Sequence, residues 1–181
     1  MKAQDVLLLL KLLSGPPSLS QIKRLSDVPV LSQKELSDSL GLSQAEVSQS
    51  LRRLKSSHLI DEKRAVKRRS ALEFLLYGLK YVFPASYGPV SLGMPTAHSH
   101  PSLKFIHHDA NSSLENYVWP DPQGSVRGQS LRPLYDSVPA AAKKDPDLYE
   151  LLSLIDMIRV GRARESQAAI QKLQEKLASN E

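Results

Sequence analysis

The sequence predicts a mainly α protein; two observations carry the fold class, and a third, of charge, bears on the partner. Apolar residues recur at helical spacing in separate stretches: Val6, Leu9, Leu10 and Leu13; Leu72, Leu75, Leu76 and Leu79; Leu148, Leu151, Leu152 and Ile155. Two S-x-x-E signals, Ser32 with Glu35 and Ser43 with Glu46, flank Gly41. In such a pair the Ser hydroxyl and the Glu carboxylate satisfy the free N–H groups at a helix start, so two short helices with a tight corner are expected. Third, the basic excess is one-sided: residues 1–83 hold 14 Lys/Arg against 8 Asp/Glu, which exceeds the net +5 of the whole chain.

Composition narrows the alternatives. A chain of 181 residues with 41% hydrophobic content suits one or two domains. The absence of Cys excludes a disulfide framework, thiolate metal sites and a thiol nucleophile, and fits a cytoplasmic setting. The long apolar run, "VLLLLKLL" at 6–13, contains Lys11 and falls far short of the roughly 20 residues that span a bilayer. "SGPPS" follows it where a signal peptide would carry a small-residue cleavage site. A buried helix stripe is the expectation, with no membrane partner.

Taken in order, residues 3–13 read as a first helix, stopped by Gly15 and two prolines. "SQIKRLS" can add a turn or two before Pro29, and the capped pair follows over 31–55. "HLIDEK" suggests a short strand and turn, and "KRRSALEFLLYGLKYVF" a further helix. From Pro84 to about Pro133 the chain is rich in Pro, Gly, Ser and His, without a sustained period. Its aromatics, Tyr87, Phe105, Tyr117 and Trp119, favour an irregular segment pinned by side chains over a mobile connector. In "DPDLYELLSLIDMIRVGRARE", Asp145 is placed to cap a helix with Pro146 at its first position, and Gly161 to end or interrupt it. "SQAAIQKLQEKL" closes the chain as an amphipathic helix. The expected division is 1–83 and 84–181, the latter made of the irregular segment 84–133 and C-terminal helices.

The second capped helix separates cleanly by angle. At about 100° per residue, Val47, Leu51 and Leu54 share one stripe; Ala45, Gln49, Arg52 and Ser56 lie opposite, flanked by Ser48. That outer face carries short hydroxyls, an amide and a guanidinium, groups that reach base edges: Gln pairs with adenine, Arg with guanine, Ser with either. Leu36 and Leu40 of the preceding helix supply core, Ser37 permits close approach, and Gly41 supplies a left-handed corner. This is a helix-turn-helix, one face held by apolar packing and the other offered to the major groove of double-stranded DNA. Gln44, Ser48, Gln49 and Arg52 are the candidates for base readout. The run "RRLKSSHLIDEKRAVKRR" at 52–69, with eight basic and two acidic residues, directly overlaps the helix end. Its Arg53, Lys55, Lys63, Arg64, Lys67, Arg68 and Arg69, with Ser43 at the helix start, are the candidates for phosphate contacts.

"SQKELSDSLGLSQAEVSQSLRRLKSSHLI" resembles the DNA-binding segment of winged helix-turn-helix regulators, in particular the MarR-like group. Leu36, Gly41, Leu42-Ser43, Val47-Ser48, Leu51, Leu54 and Leu59-Ile60 carry the likeness. The resemblance implies that the helix from Ser43 enters the major groove and that a short β wing after Ile60 touches the backbone or minor groove. His58 stands where such proteins commonly have Gly, and "DEKRAVKRR" leaves little room for a hairpin, so the wing is expected to be rudimentary.

Other constellations are weaker. His98, His100, His107, His108 and Asp109 crowd into one stretch, but their spacing is not a standard ligand set, and no metal is expected. "GSVRG" lacks the strand-loop-helix context of a phosphate loop. Asp156, Arg159, Arg162 and Arg164 read as intrahelical pairs on a solvated face. No nucleophile triad or acid–base pair emerges, so neither an enzyme nor a cofactor is expected. The functional expectation is a sequence-specific DNA-binding regulator, a dimeric repressor. The alternative is a protein-interaction module or antitoxin whose C-terminal half neutralises a partner. The homodimer seam is expected on "VLLLLKLL", apolar nearly all round, and on the stripe Ile170, Leu173, Leu177.

Overall fold

The structure, a computed structural model, describes residues 1–15, 31–106 and 116–178. The turn expected over 20–26 and the residues His107, His108 and Asp109 lie outside them, as does the Phe105 side chain. The described chain is predominantly helical with a small three-stranded sheet, in agreement with the expected class.

The first helix, α1 (Ala3–Ser14), sits at the centre. Val6, Leu7, Leu8, Leu9 and Leu10 are all fully buried, so its whole circumference is used inside one chain. The capped pair follows as α2 (Gln33–Leu40) and α3 (Gln44–Ser56). A short loop then leads into a helix of three parts: α4 (Arg68–Glu73), a π-helical turn (Phe74–Gly78) and α5 (Leu79–Val82). The segment expected to lack regular structure holds β1 (Tyr87–Pro95), 3₁₀ turns at Ala97–Ser99 and Pro101–Ile106, β2 (Tyr117–Pro120) and β3 (Val126–Leu131). Three helices follow: α6 (Val138–Lys144), which the sequence reading did not assign, then α7 (Pro146–Val160) and α8 (Ala163–Ala178).

α1 packs against α3 on one side and α7 on another. Asp145 caps α7 as expected, accepting the Leu148 N–H at 3.0 Å, and its other oxygen takes the Lys11 ammonium at 2.6 Å. Burial pushes the Asp145 carboxyl up, but Lys11 and the Leu148 N–H outweigh it and hold it below the usual carboxylate range. α8 lies along α7 with Leu173 and Leu177 buried and Ile170 half-buried. The apolar surplus expected to form a seam between two copies is therefore covered by the chain's own α7. The face of α1 looks unpartnered in the sequence because α7 lies some 130 residues further along the chain, whereas α8 folds back on the helix just before it.

The three strands pair with one another all round. β1 runs antiparallel to β2, with Met94 opposite Trp119, and antiparallel to β3, with Ser91 opposite Gly128; β2 and β3 are parallel, with Val118 opposite Ser130. Closing so small a sheet forces backbones together. A Cβ on Gly93 would lie 2.1 Å from the Trp119 carbonyl oxygen, and one on Gly124 would lie 2.2 Å from the backbone of Gly93. Trp119 is buried between the sheet and α7: its ring lies 5.8 Å from that of Tyr149, and its indole N–H donates to Asp156 at 2.7 Å. Thr96 and Arg159 also donate to Asp156, at 2.9 and 2.8 Å. Arg159 reaches on to the carbonyls of Phe83 and Pro84. Asp156 and Arg159 do pair, but as a buried junction of sheet and helices and not on a solvated face: their side chains are 3% and 4% exposed. Burial, the largest influence, pushes the Asp156 carboxyl up against the pull of Arg159, Trp119 and Thr96.

Candidate nucleic-acid interface

Both capping boxes are formed. At α2 the Ser32 hydroxyl accepts the Glu35 N–H at 3.2 Å, and Glu35 accepts the Ser32 N–H at 2.7 Å. At α3 the Ser43 hydroxyl accepts the Glu46 N–H at 3.2 Å, and Glu46 accepts the Ser43 N–H at 2.9 Å. The Ser43 N–H and hydroxyl hold the Glu46 carboxyl below its ordinary range. Between the boxes Gly41 takes a left-handed conformation, φ 65°, and returns its N–H to Ser37. The Ser37 hydroxyl donates to the Leu42 carbonyl across the corner, so the turn is closed by hydrogen bonds on both sides.

This corner fixes how α3 is presented. Val47, Leu51 and Leu54 are buried with Leu36, Leu40 and α1. Gln44, Ala45, Gln49, Arg52 and Ser56 are exposed, with Ser48 half-buried between them, so the four base-readout candidates share one outward face. Among the described residues, no side-chain hydrogen bond or ion pair engages any of the four; Ser48 alone is partly covered.

Beyond α3 the chain turns at His58, where φ is 55°, the positive value that Gly usually supplies and that His accepts at modest cost. The wing is as short as its sequence suggests. Ile60 and Val66 form an isolated antiparallel bridge, and the Asp61 carboxylate accepts the Lys63 and Ala65 N–H groups at 2.8 Å to close the loop.

The phosphate candidates divide. Lys63, Lys67 and Arg69 are exposed, and Arg69 meets Glu73 only at 3.4 Å on the surface. Lys55 pairs with Glu62, whose side chain is almost fully exposed, a contact of little energetic weight. Ser43 is exposed but its hydroxyl is engaged by the cap. Arg64, half-buried with φ 67°, leans on the Leu31 carbonyl. Two candidates are turned inward. Arg53 donates two parallel bonds to Asp5 of α1, and Arg68 donates to the Leu177 carbonyl at the end of α8, at 2.8 Å. Both guanidiniums serve the fold here.

Sequence reasoning missed a second set of residues that holds the corner from outside. The Tyr135 hydroxyl donates to Glu46 at 3.2 Å, the Ser137 hydroxyl donates to the Leu40 carbonyl at 2.6 Å, and Lys144 donates to the Asp38 carbonyl at 3.0 Å. Ser137 also lies 3.3 Å from where a Cβ on Gly41 would stand. These contacts join positions about a hundred residues apart, and no local pattern announces them. Asp5 belongs to the same set; its only local sign is an acid at the start of a helix.

No helix among the described residues is long and apolar enough to cross a membrane, and none of their His, Asp and Glu side chains gather as a metal site. His98 and His100 pack against the rings of Tyr117 and Tyr149. Burial drives the His100 imidazole down to about 4, which keeps it neutral at physiological pH.

No curated protein and no solved structure matches the chain. A family described as winged helix-turn-helix DNA-binding does match, over residues 22–61. That span contains both capping boxes, the Gly41 corner, all of α3 and the first residue of the bridge that begins the wing. Residues 31–66 fold as a helix-turn-helix with a rudimentary wing, and most of them lie in the stretch that is similar to winged helix-turn-helix DNA-binding domains.

Proposed function

We propose that the protein is a sequence-specific transcriptional regulator of the MarR-like kind, a repressor that works as a homodimer on double-stranded DNA in the cytoplasm. The observation that carries this reading is the outward face of α3: Gln44, Gln49 and Arg52 stand exposed on a helix whose other side is buried. Base readout falls to these three and Ser48, and phosphate contacts to Lys55, Lys63, Lys67 and Arg69, with Ser43 at the helix start. Residues 1–83 would then be the reading head and 84–181 its support. Two units about one DNA turn apart are the usual route to specificity, because one recognition helix covers few base pairs. Selection of bound sequences from random duplex DNA, followed by gel shifts at two salt concentrations, tests the reading. One enriched, two-fold symmetric site supports it; binding that is equal for every sequence overturns it.

A second reading, the protein-interaction module or antitoxin, has its own observation. Tyr77, Tyr81, Val82, Tyr87, Val90 and Leu92 are large apolar side chains left exposed at 45–74%. They are also the described residues best suited to a homodimer seam. Light scattering on the purified chain separates the two: a dimer assigns this surface to a second copy, and a monomer leaves it for a different protein.

A further inference from the structure

The exposed apolar surface has two chemically different halves. Tyr77, Tyr81 and Val82 stand on the helix, and the Lys80 ammonium lies over the Tyr81 ring at 4.9 Å. Tyr87, Val90 and Leu92 stand on β1, among arginines. Arg127 of β3 is opposite Leu92 in the ladder, which places the two side chains on one face. Arg132 follows the other end of β3 and donates its backbone N–H to Ser86, the residue before Tyr87. The Tyr117 ring lies 5.9 Å from that of Tyr87. Burial pushes the Tyr117 phenol up to about 12, and the nearby charge of Arg162 pulls the other way. Arg127, Arg132 and Arg162 are exposed, and none has an ion-pair partner among the described residues. Glu165, half-buried beside them, accepts the Arg162 backbone N–H at 3.0 Å.

This chemistry limits what can cover the strand half. A second copy of the chain fits poorly, because a two-fold seam brings a patch against itself and sets these arginines against arginines. A peptide strand fits poorly too: β1, β2 and β3 pair with one another all round and leave no edge for it to extend. Ring faces and free guanidiniums instead match the two parts of a nucleotide. A base stacks on a tyrosine ring, and its phosphate takes a guanidinium. Stacking needs an unpaired base, so a duplex cannot use the ring.

We propose that the strand half of this surface binds single-stranded nucleic acid, with a base stacked on Tyr87, its neighbours over Val90 and Leu92, and Arg127, Arg132 and Arg162 on the phosphates. The site shares no residue with α3 and does not rest on the regulator reading. It leaves the helical half, Tyr77, Tyr81 and Val82, for a second copy.

The test is fluorescence anisotropy of the full chain with labelled oligo(dT) and oligo(rU) of about 15 nucleotides, long enough for a site of this kind. Saturable binding with half-saturation below about 10 µM at low salt is expected, and the tighter of the two oligomers identifies the sugar. Tyr87→Ala should weaken it about fivefold or more, and Tyr87→Phe, which keeps the ring, should bind as the parent does. Arg127→Gln with Arg162→Gln should flatten the salt dependence by about 0.7 per phosphate contact removed. A duplex of random sequence should compete about tenfold less well than the single strand. No saturation, an unchanged Tyr87→Ala variant, an unchanged salt slope or equal competition by the duplex would overturn the site. So would displacement by poly-L-glutamate at equal charge, which makes the surface a site for an acidic protein. A dimer that Tyr87→Ala converts to a monomer overturns it as well, and makes the surface a seam.

Discussion

Arg53 of α3 donates from Nε and Nη2 to the two oxygens of Asp5 in α1, at 2.8 and 2.7 Å. Asp5 is fully buried, and the Arg53 side chain is 27% exposed. The pair bolts the inner flank of α3 to the central helix. Arg53 also reaches the Ser50 hydroxyl at 3.2 Å, and Asp5 accepts the Lys2 N–H at 2.7 Å, so the pair is well satisfied. Burial alone would push the Asp5 carboxyl up; the bonds from Arg53, Ser50 and Lys2 outweigh it and hold it below its ordinary range.

Asp5→Asn removes the charge and leaves Arg53 half-buried without its partner. A loss of about 2–4 kcal/mol in stability at pH 7 is expected, toward the low end of what breaking a buried pair costs because Arg53 keeps some water. The folded carboxyl titrates below its unfolded value of about 3.9. Its stabilisation is therefore fully present above that value and is lost as pH falls through the folded one. Urea melts at pH 7 and pH 3 check this: the gap between parent and variant should narrow in acid, and a gap of constant size would refute the linkage.

Arg52→Ala and Gln49→Ala act on the opposite face of the same helix. Both side chains are exposed, so neither change should alter the thermal midpoint. Each should weaken binding to the selected site by about 1–3 kcal/mol and relax base preference at one position. Footprinting of the double variant decides: full protection at unchanged concentration means that another surface reads the DNA.

Neighbouring basic residues should separate by role. Lys67→Gln with Arg69→Gln should lower affinity for every sequence alike and flatten the salt dependence by about 0.9 per phosphate contact removed. Arg68→Gln should instead lower stability, since its guanidinium holds the Leu177 carbonyl at the end of α8. Salt titrations and melts of the two variants, run side by side, would expose the assignment if both behaved the same way.

What the sequence made legible is what is local. The capping boxes, the Gly41 corner, the Asp145 cap, the left-handed His58 and the stunted wing all rest on residues within a few positions of one another. The sheet stayed hidden because its strands lack alternation: β1 exposes both Val90 and Leu92 yet buries Gly93, since it is sandwiched by two partners and not laid on a flat core. Arg53 and Arg68 looked like phosphate ligands because charge type and neighbourhood do not reveal where a guanidinium points. Their partners are 48 and 109 residues away.

α1 gives the sharpest test of the corrected packing. Leu8→Ala should cost about 2–5 kcal/mol, and Leu8→Glu should prevent folding outright, because α3 and α7 leave that side chain no water. An exposed dimer seam would behave differently: Leu8→Glu would stay folded and shift mass in light scattering from dimer to monomer.

The central place of α1 also sets an order in time. A ribosome makes α1 before α3 and makes α7 some 130 residues after α1; at about 5–20 residues per second, the face of α1 that meets α7 waits roughly 7–30 s for its cover. During that interval the capping boxes and the Gly41 corner can form, but the Tyr135, Ser137 and Lys144 fastenings do not yet exist. The nascent chain thus carries α3 before it carries the frame that holds it, and the face of α1 that meets α7 is bare for the longest time.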